Sequence, residues 1–215
     1  MRELSINVPS SYNERTMLEQ ELAYYESLYN DILKEINRQR QIDRTQLITR
    51  LSTKLPNVIE NTLTPQEQRL LRSARFGRLS DREQQQISLI NNKLNRLREG
   101  GCYNLSELNE QQLRTNERLF SLIIPGLPYT FCYDILDILK NGLINEDLGL
   151  ADVYINLPDG ERYRYPLTND ETETLIGSIR LAGYDPESFP RLEFPNLAEA
   201  RRNAFALRIR LKQFR

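Results

Sequence analysis

The apolar residues at the start of this chain fall in a helical rhythm. Leu18, Leu22, Tyr25, Tyr29, Ile32 and Ile36 recur at 4-3-4-3-4 spacing, with Glu, Gln, Asn and Arg over most of the remaining surface. This predicts a long helix from about Asn13, capped by Asn13 or Ser11, with one narrow apolar seam. The seam covers about two and a half heptads, fewer than a confident coiled coil needs, so an intramolecular helical hairpin is its simplest use. Asp43 is expected to open a second helix carrying Leu47, Ile48, Leu51 and Leu55, which Pro56 should kink or stop. Two capping boxes follow, Thr64-Pro65-Gln66-Glu67 and Ser80-Asp81-Arg82-Glu83. In each, a hydroxyl and a carboxylate three residues later answer the free amides of a helix start. Gly77 is the expected stop of the first of these helices. Gly100-Gly101 should end the second, which places Ile87, Ile90, Leu94 and Leu97 on one face.

Beyond the glycine pair, helices are predicted near 105–124, with Leu113, Asn116, Phe120, Ile123 and Ile124 on related faces, and near 129–141, with Phe131, Ile135, Leu136, Ile138 and Leu139. The period then changes. Val153, Ile155 and Leu157 alternate with polar residues, as does the run Arg162 to Leu167, and Pro158-Asp159-Gly160 between them suits a tight turn. This predicts a β-hairpin over 151–167, with Pro166 at an edge or strand end. A helix near 170–182 supplies Leu175, Ile176 and Ile179 to cover the hairpin. A final helix over 196–215, capped by Asn196, sets Leu197, Ala200, Ala204, Leu207, Leu211 and Phe214 along a second narrow seam. The expected fold is mainly α, a multi-helix assembly with a small α+β element near the C-terminus. Residues 1–99 read as a basic helical module and 102–215 as an acidic one, with the boundary at the glycine pair.

Composition removes several functional classes. The 215 residues are 39% hydrophobic and 27% charged, with only 9 Gly and 10 Pro, so a packed core is expected rather than low-complexity sequence. Histidine is absent, which eliminates Ser-His and Cys-His nucleophile pairs and most zinc sites. Cys102 and Cys132 are the only cysteines, lack metal-ligand spacing, and read as reduced core thiols. Neither a signal-like N-terminus nor a membrane-length apolar run is present, so a soluble intracellular protein is expected. The chain has no phosphate-binding glycine loop. The carboxylate pairs Asp134/Asp137, Glu146/Asp147 and Glu171/Glu173 read as surface charge rather than a metal site. These observations point to a non-enzymatic protein without a cofactor, a metal or a small-molecule substrate.

Charge then sharpens the picture. The formal net charge is −1, but the blocks carry −4 over residues 1–33, +8 over 34–98, −10 over 99–187, −1 over 188–200 and +6 over 201–215. Arg69, Arg72, Arg75, Arg78 and Arg82 are the densest cluster. Steps of three residues fan the first three over about 120° of helix surface, opposite Leu70, Leu71 and Ala74. Such a face either is solvated beside local acids or forks onto phosphates or carboxylates of a partner. Arg208 and Arg210 belong to the terminal basic helix, where the helix dipole accounts for part of the charge. In a symmetric dimer they would face acids such as Glu171 or Glu173. The tyrosines Tyr163 and Tyr165, interleaved with Arg162 and Arg164, fit a strand with one buried face better than a base-stacking platform. The sequence thus favours assembly with a protein partner or a second copy. Leu18, Leu22, Tyr25, Tyr29, Ile32, Ile36, Leu207, Leu211 and Phe214 would form the seams of that interface. The alternative is nucleic-acid binding or packaging through 34–98.

Overall fold

The structure, a computed structural model, describes residues 10–77, 79–98, 118–127 and 130–214. Its described elements are α1 (Ser10–Asn61), α2 (Pro65–Ser73), α3 (Asp81–Arg98), β1 (Arg118–Ile123), β2 (Thr130–Asp134), α4 (Ile135–Asn141), β3 (Leu143–Asn145), β4 (Leu150–Asn156), β5 (Arg162–Pro166), α5 (Asn169–Leu181) and α6 (Pro195–Lys212). The fold is mainly α with a small β component. Among the described residues no helix is long and apolar enough to cross a membrane. The chain divides into two compact units, one built from residues up to Gln41 and from Glu193 onward, the other from Ile42–Leu192. This partition differs from a division at Gly100-Gly101, a pair that lies outside the described residues.

Several helix boundaries move. The two helices expected on either side of Asp43 are one, α1, which begins at Ser10, so Ser11 and Asn13 lie inside it rather than capping it. No Gly or Pro interrupts residues 10–55, and an Asp alone starts no helix where the preceding one has no reason to stop. Pro56 does not end α1. An interior proline costs about 3 kcal/mol, and here Val58, Ile59 and Leu63, buried just beyond it, offset that cost. At the other end, α6 starts at Pro195 with Phe194 as its cap and no side-chain cap bond, so Asn196 is already helical. The fixed φ of proline suits the first helical position and brings the start forward.

The largest correction concerns 105–124 and 129–141. Residues 118–123 are a strand, paired antiparallel with β2, and only Ile135–Asn141 of the second segment is helical. The burial has period two: Leu122 and Ile124 are buried while Ile123 is 59% exposed. Pro125-Gly126, with Gly126 at φ +83°, lies in the turn that leads back toward β2. The remaining residues of the expected 105–117 helix, Leu113 and Asn116 among them, lie outside the described residues.

The hairpin over 151–167 forms with the expected turn, Gly160 at φ +88°. It is extended by a third strand, giving the order β3-β4-β5. Ile144 of β3 also bridges in parallel to Arg191, and the buried Asn145 amide donates to the Leu192 carbonyl at 3.0 Å. Tyr165 is fully buried, whereas Arg162 and Arg164 are exposed, so the tyrosine–arginine alternation is core against solvent. Helix α5 packs on β1 and β4, and α4 packs on β1, β2 and β4. One continuous apolar cluster runs through the unit, from Leu51, Leu55 and Ile59 of α1 through Val153 and Ile155 of β4 to Leu175 and Ile179 of α5.

Inside this unit sits a charge. Arg44 is 7% exposed. Its Nη1 and Nη2 donate to the two carboxylate oxygens of Glu171 at 2.5 and 2.8 Å, and Nη1 also reaches the Pro166 carbonyl at 3.3 Å. The guanidinium lies 4.8 Å from the centre of the Tyr165 ring. Glu171 is also the third member of the Thr168 capping box of α5. Burial alone would raise its carboxyl, but the hydrogen bonds from Arg44 and from the Thr168 amide outweigh this and hold it below the ordinary value. A second contact pins the turn of the hairpin: Lys54 of α1 pairs with Glu161 and with Asp159, the latter at 3.4 Å, and donates to the Tyr163 hydroxyl at 3.2 Å.

The other unit pairs the N-terminal part of α1 with α6. Leu18 is buried on α1, and Leu197, Ala200, Ala204 and Leu207 are buried on α6. Leu22, Tyr25, Tyr29, Ile32, Ile36, Leu211 and Phe214 are half-buried. Arg208 donates to Glu26 through Nε and Nη2 at 3.1 and 2.6 Å.

Arg44→Ala or Glu171→Gln is expected to lower the unfolding free energy by about 3 kcal/mol, since each leaves one buried charge unanswered; urea denaturation measures it. Because Glu171 titrates lower when folded than its ordinary 4.5, its contribution is complete above that pH and is lost as pH falls through the depressed value. The wild-type stability curve falls on its acid side, and Glu171→Gln should flatten part of that fall. Gly142→Ala should cost about 1–3 kcal/mol in the same assay, because a Cβ there would stand 2.8 Å from the Ile138 carbonyl oxygen.

Candidate anion-binding surface

The end of α1, α2 and α3 form a corner whose backbone ends are closed by side chains. Thr64 caps α2 in a complete capping box with Glu67. Ser80 and Glu83 exchange the same bonds at the start of α3, at 2.8 Å and 3.4 Å. Gln68 Nε2 donates to the Glu60 and Leu63 carbonyls at 3.3 and 3.2 Å, answering acceptors that the end of α1 leaves free. Lys93 of α3 donates to the Thr62 carbonyl at 3.4 Å and pairs with Glu67 at 3.3 Å. These bonds fix the direction in which α2 presents its arginines.

They also commit the local acids. The Thr64 backbone amide holds the Glu67 carboxyl below its ordinary range, aided by the Thr64 hydroxyl and Lys93. The Ser80 hydroxyl and amide do the same for Glu83. Arg69, Arg72, Arg75 and Arg82 are exposed, and none forms an ion pair or hydrogen bond among the described residues. Arg78 lies outside the described residues. Among the described residues no carboxylate pairs with the fan, although the capping acids Glu67 and Glu83 line the same cleft as Arg69.

The arginines flank α2 on two sides. Arg72 and Arg75 line a cleft of about 580 Å³ whose floor includes Leu71 and Leu94 and whose single carboxylate is Glu60. Arg69 lines a second cleft of about 760 Å³ with Lys93, Gln86 and Leu89. Between α2 and α3, Phe76 stands 90% exposed, on a turn closed by its own amide donating to the Ser73 carbonyl at 3.0 Å. Sequence reasoning passed over this residue. The signal was present as Arg75-Phe76-Gly77-Arg78, an aromatic between cations beside the glycine assigned only as a helix stop.

Some of the other expected contact residues are engaged within the chain. Within the chain Arg208 pairs with Glu26, and Glu171 pairs with Arg44. Arg210 is exposed without a bonding partner. Of the carboxylate pairs, Glu146 meets Arg180, Asp147 meets Arg191 at 2.9 Å, and Asp137 lies 3.6 Å from Arg162. Among the described residues no three His, Cys, Asp or Glu side chains cluster as a metal site. The side chains of Cys102 and Cys132 lie outside the description.

No protein-family model, curated protein or solved structure matches this chain.

Arginines without internal duties should be dispensable for folding. Arg69→Ala, Arg72→Ala and Arg75→Ala are each expected to change stability by no more than about 0.5 kcal/mol. A loss near that of Arg44→Ala in the same urea titration would show that they support the fold instead.

Proposed function

We propose that this is a non-enzymatic interaction protein whose α2–α3 corner holds a partner carrying dense negative charge. The observation that carries the reading is the exposure of Arg69, Arg72, Arg75 and Arg82 combined with their lack of an ion-pair partner among the described residues. Guanidinium forks left unpaired on a rigid support suit carboxylates or phosphates from outside the chain. The capped helices lend the surface precision, because its arginines stand on structured elements and a closed turn.

A second reading, assembly with a second copy or a protein partner, is supported by a different surface. Of the seam residues expected to mediate it, Leu18 and Leu207 are buried within the chain and the other seven are half-buried. On α6, however, Phe205 is 63% and Ile209 46% exposed, one helical turn apart. Phe205 lines a groove of about 610 Å³ with Tyr29, Asn30 and Arg202.

The main reading is tested with fluorescein-labelled heparin as a generic polyanion. Wild-type protein is expected to bind at low salt and to lose most of its affinity between about 50 and 200 mM salt. Arg69→Glu, Arg72→Glu and Arg75→Glu together should abolish binding. Equal binding by that triple variant overturns the reading. Assembly predicts a particle heavier than the 25.3 kDa chain by light scattering, reduced by Phe205→Glu with Ile209→Glu; a concentration-independent monomer defeats its self-association form.

A further inference from the structure

We infer that the turn between α2 and α3 is a platform for single-stranded nucleic acid, on which Phe76 stacks against an unpaired base while Arg69, Arg72, Arg75 and Arg82 hold the phosphates around it. The inference rests on the anionic-partner reading and names the partner's class.

Phe76 is the most exposed large apolar side chain of the described residues, at 90%. Burying such a ring normally stabilises a fold by about 2 kcal/mol or more, and this chain forgoes that gain. The residue is nonetheless well placed, since its amide closes the turn on Ser73 and its neighbour Arg75 lines the adjoining cleft. Arg75 thus adjoins an exposed aromatic in the chain, and Arg69, Arg72 and Arg82 stand on the two helices that flank its turn. Every base offers a π-face, and an aromatic within a basic surface is the arrangement by which proteins hold single strands without reading sequence.

The polar lining fits the same partner. Gln66 and Gln86 in one cleft and Asn91 in the other present neutral amides, which can both donate to and accept from base edges. Among the described residues the acids of the corner without a bonding partner are Glu60 and Asp81, against Arg69, Arg72, Arg75, Arg82 and Arg96. An acidic protein segment would answer the arginines but leave Phe76 without a role. A duplex keeps its bases stacked on one another and offers no free face. An anionic bilayer would favour a broad apolar bed, whereas the clefts beside α2 are lined by amides and charged groups as well as apolar residues.

The test uses the full chain and a labelled oligo-dT, read by fluorescence anisotropy, with a duplex of equal length, poly-L-glutamate, phosphatidylserine vesicles and heparin as parallel probes. Wild-type protein is expected to prefer the single strand to the duplex. Phe76→Ala should weaken single-strand binding about tenfold while leaving the salt slope and heparin binding unchanged, and Phe76→Trp should restore it. Arg72→Ala with Arg75→Ala should reduce the slope by about 1.4, at about 0.7 per phosphate. Circular dichroism melting confirms that each variant is folded. If Phe76→Ala binds oligo-dT as wild type does, or if the duplex, poly-L-glutamate or the vesicles bind more tightly than the single strand, the inference is overturned while the anionic-partner reading stands on its heparin result. Failure of the protein to bind heparin and every other probe overturns both.

Discussion

Arg44 carries a full positive charge into the interior of the unit formed by Ile42–Leu192, and the surrounding elements are arranged to answer it. Its two-pronged bond to Glu171, its bond to the Pro166 carbonyl and its contact with the Tyr165 ring draw α1, β5 and α5 to one point. Apolar packing alone tolerates small slips along a helix, because one leucine can replace another. A buried charge does not, since a rotated or shifted α1 would leave Arg44 unpaired at a cost of several kcal/mol. Such a pair therefore adds less to stability than to register. That matters most in α1, whose 52 residues contain no internal breaker other than Pro56. The hydroxyls of Tyr165 and Thr172, buried beside this site without partners, are the polar cost of packing the pair among apolar neighbours.

The same economy explains the surface. Glu171 serves both Arg44 and the start of α5, Glu67 serves both Thr64 and Lys93, and Glu83 closes the start of α3. Glu161 is drawn to Lys54 and accepts from the Tyr163 hydroxyl. Carboxylates that a charge count assigns to the surface are thus committed to caps and to contacts between elements. The arginines of α2 sit among these acids in sequence without pairing with them in space. The positive character of the corner comes from the excess of cations over 34–98, and the use of Glu67 and Glu83 in caps keeps the nearest acids from pairing directly with the arginines of α2.

Much of this was legible in the sequence. The capping boxes at Thr64 and Ser80, the seam of α6 and the hairpin with Gly160 at its turn each had local signals strong enough to survive folding. Where the local signal was ambiguous, tertiary context decided. Leu119-Phe120-Ser121-Leu122-Ile123-Ile124 fits a helical face as well as a strand, and pairing with β2 selected the strand. Asp43 resembled a cap only when read without its neighbours. The Arg44–Glu171 contact links residues 127 positions apart, so no local pattern announces it, and the Thr168-x-x-Glu171 box was hidden within a run of acids. For the candidate site, spacing located the arginines but could not reveal that the adjacent carboxylates were engaged elsewhere.

Separating the fold's charges from the surface's charges has a consequence for how the protein can change. Residues such as Arg44 and Lys54 are fixed by partners on other elements, so altering them disturbs the core or the sheet. Among the described residues the side chains of Arg69, Arg72, Arg75 and Phe76 join no such network. Phe76 shows this most clearly. An arginine in water costs a fold little, but an exposed phenyl ring forgoes burial energy. Helix α2 could have ended in a polar residue at that turn with every hydrogen bond of the corner intact, because only the Phe76 amide is used there. Local structure therefore accounts for the turn but not for the ring, and the stacking role proposed for Phe76 supplies a physical reason for an aromatic at that point.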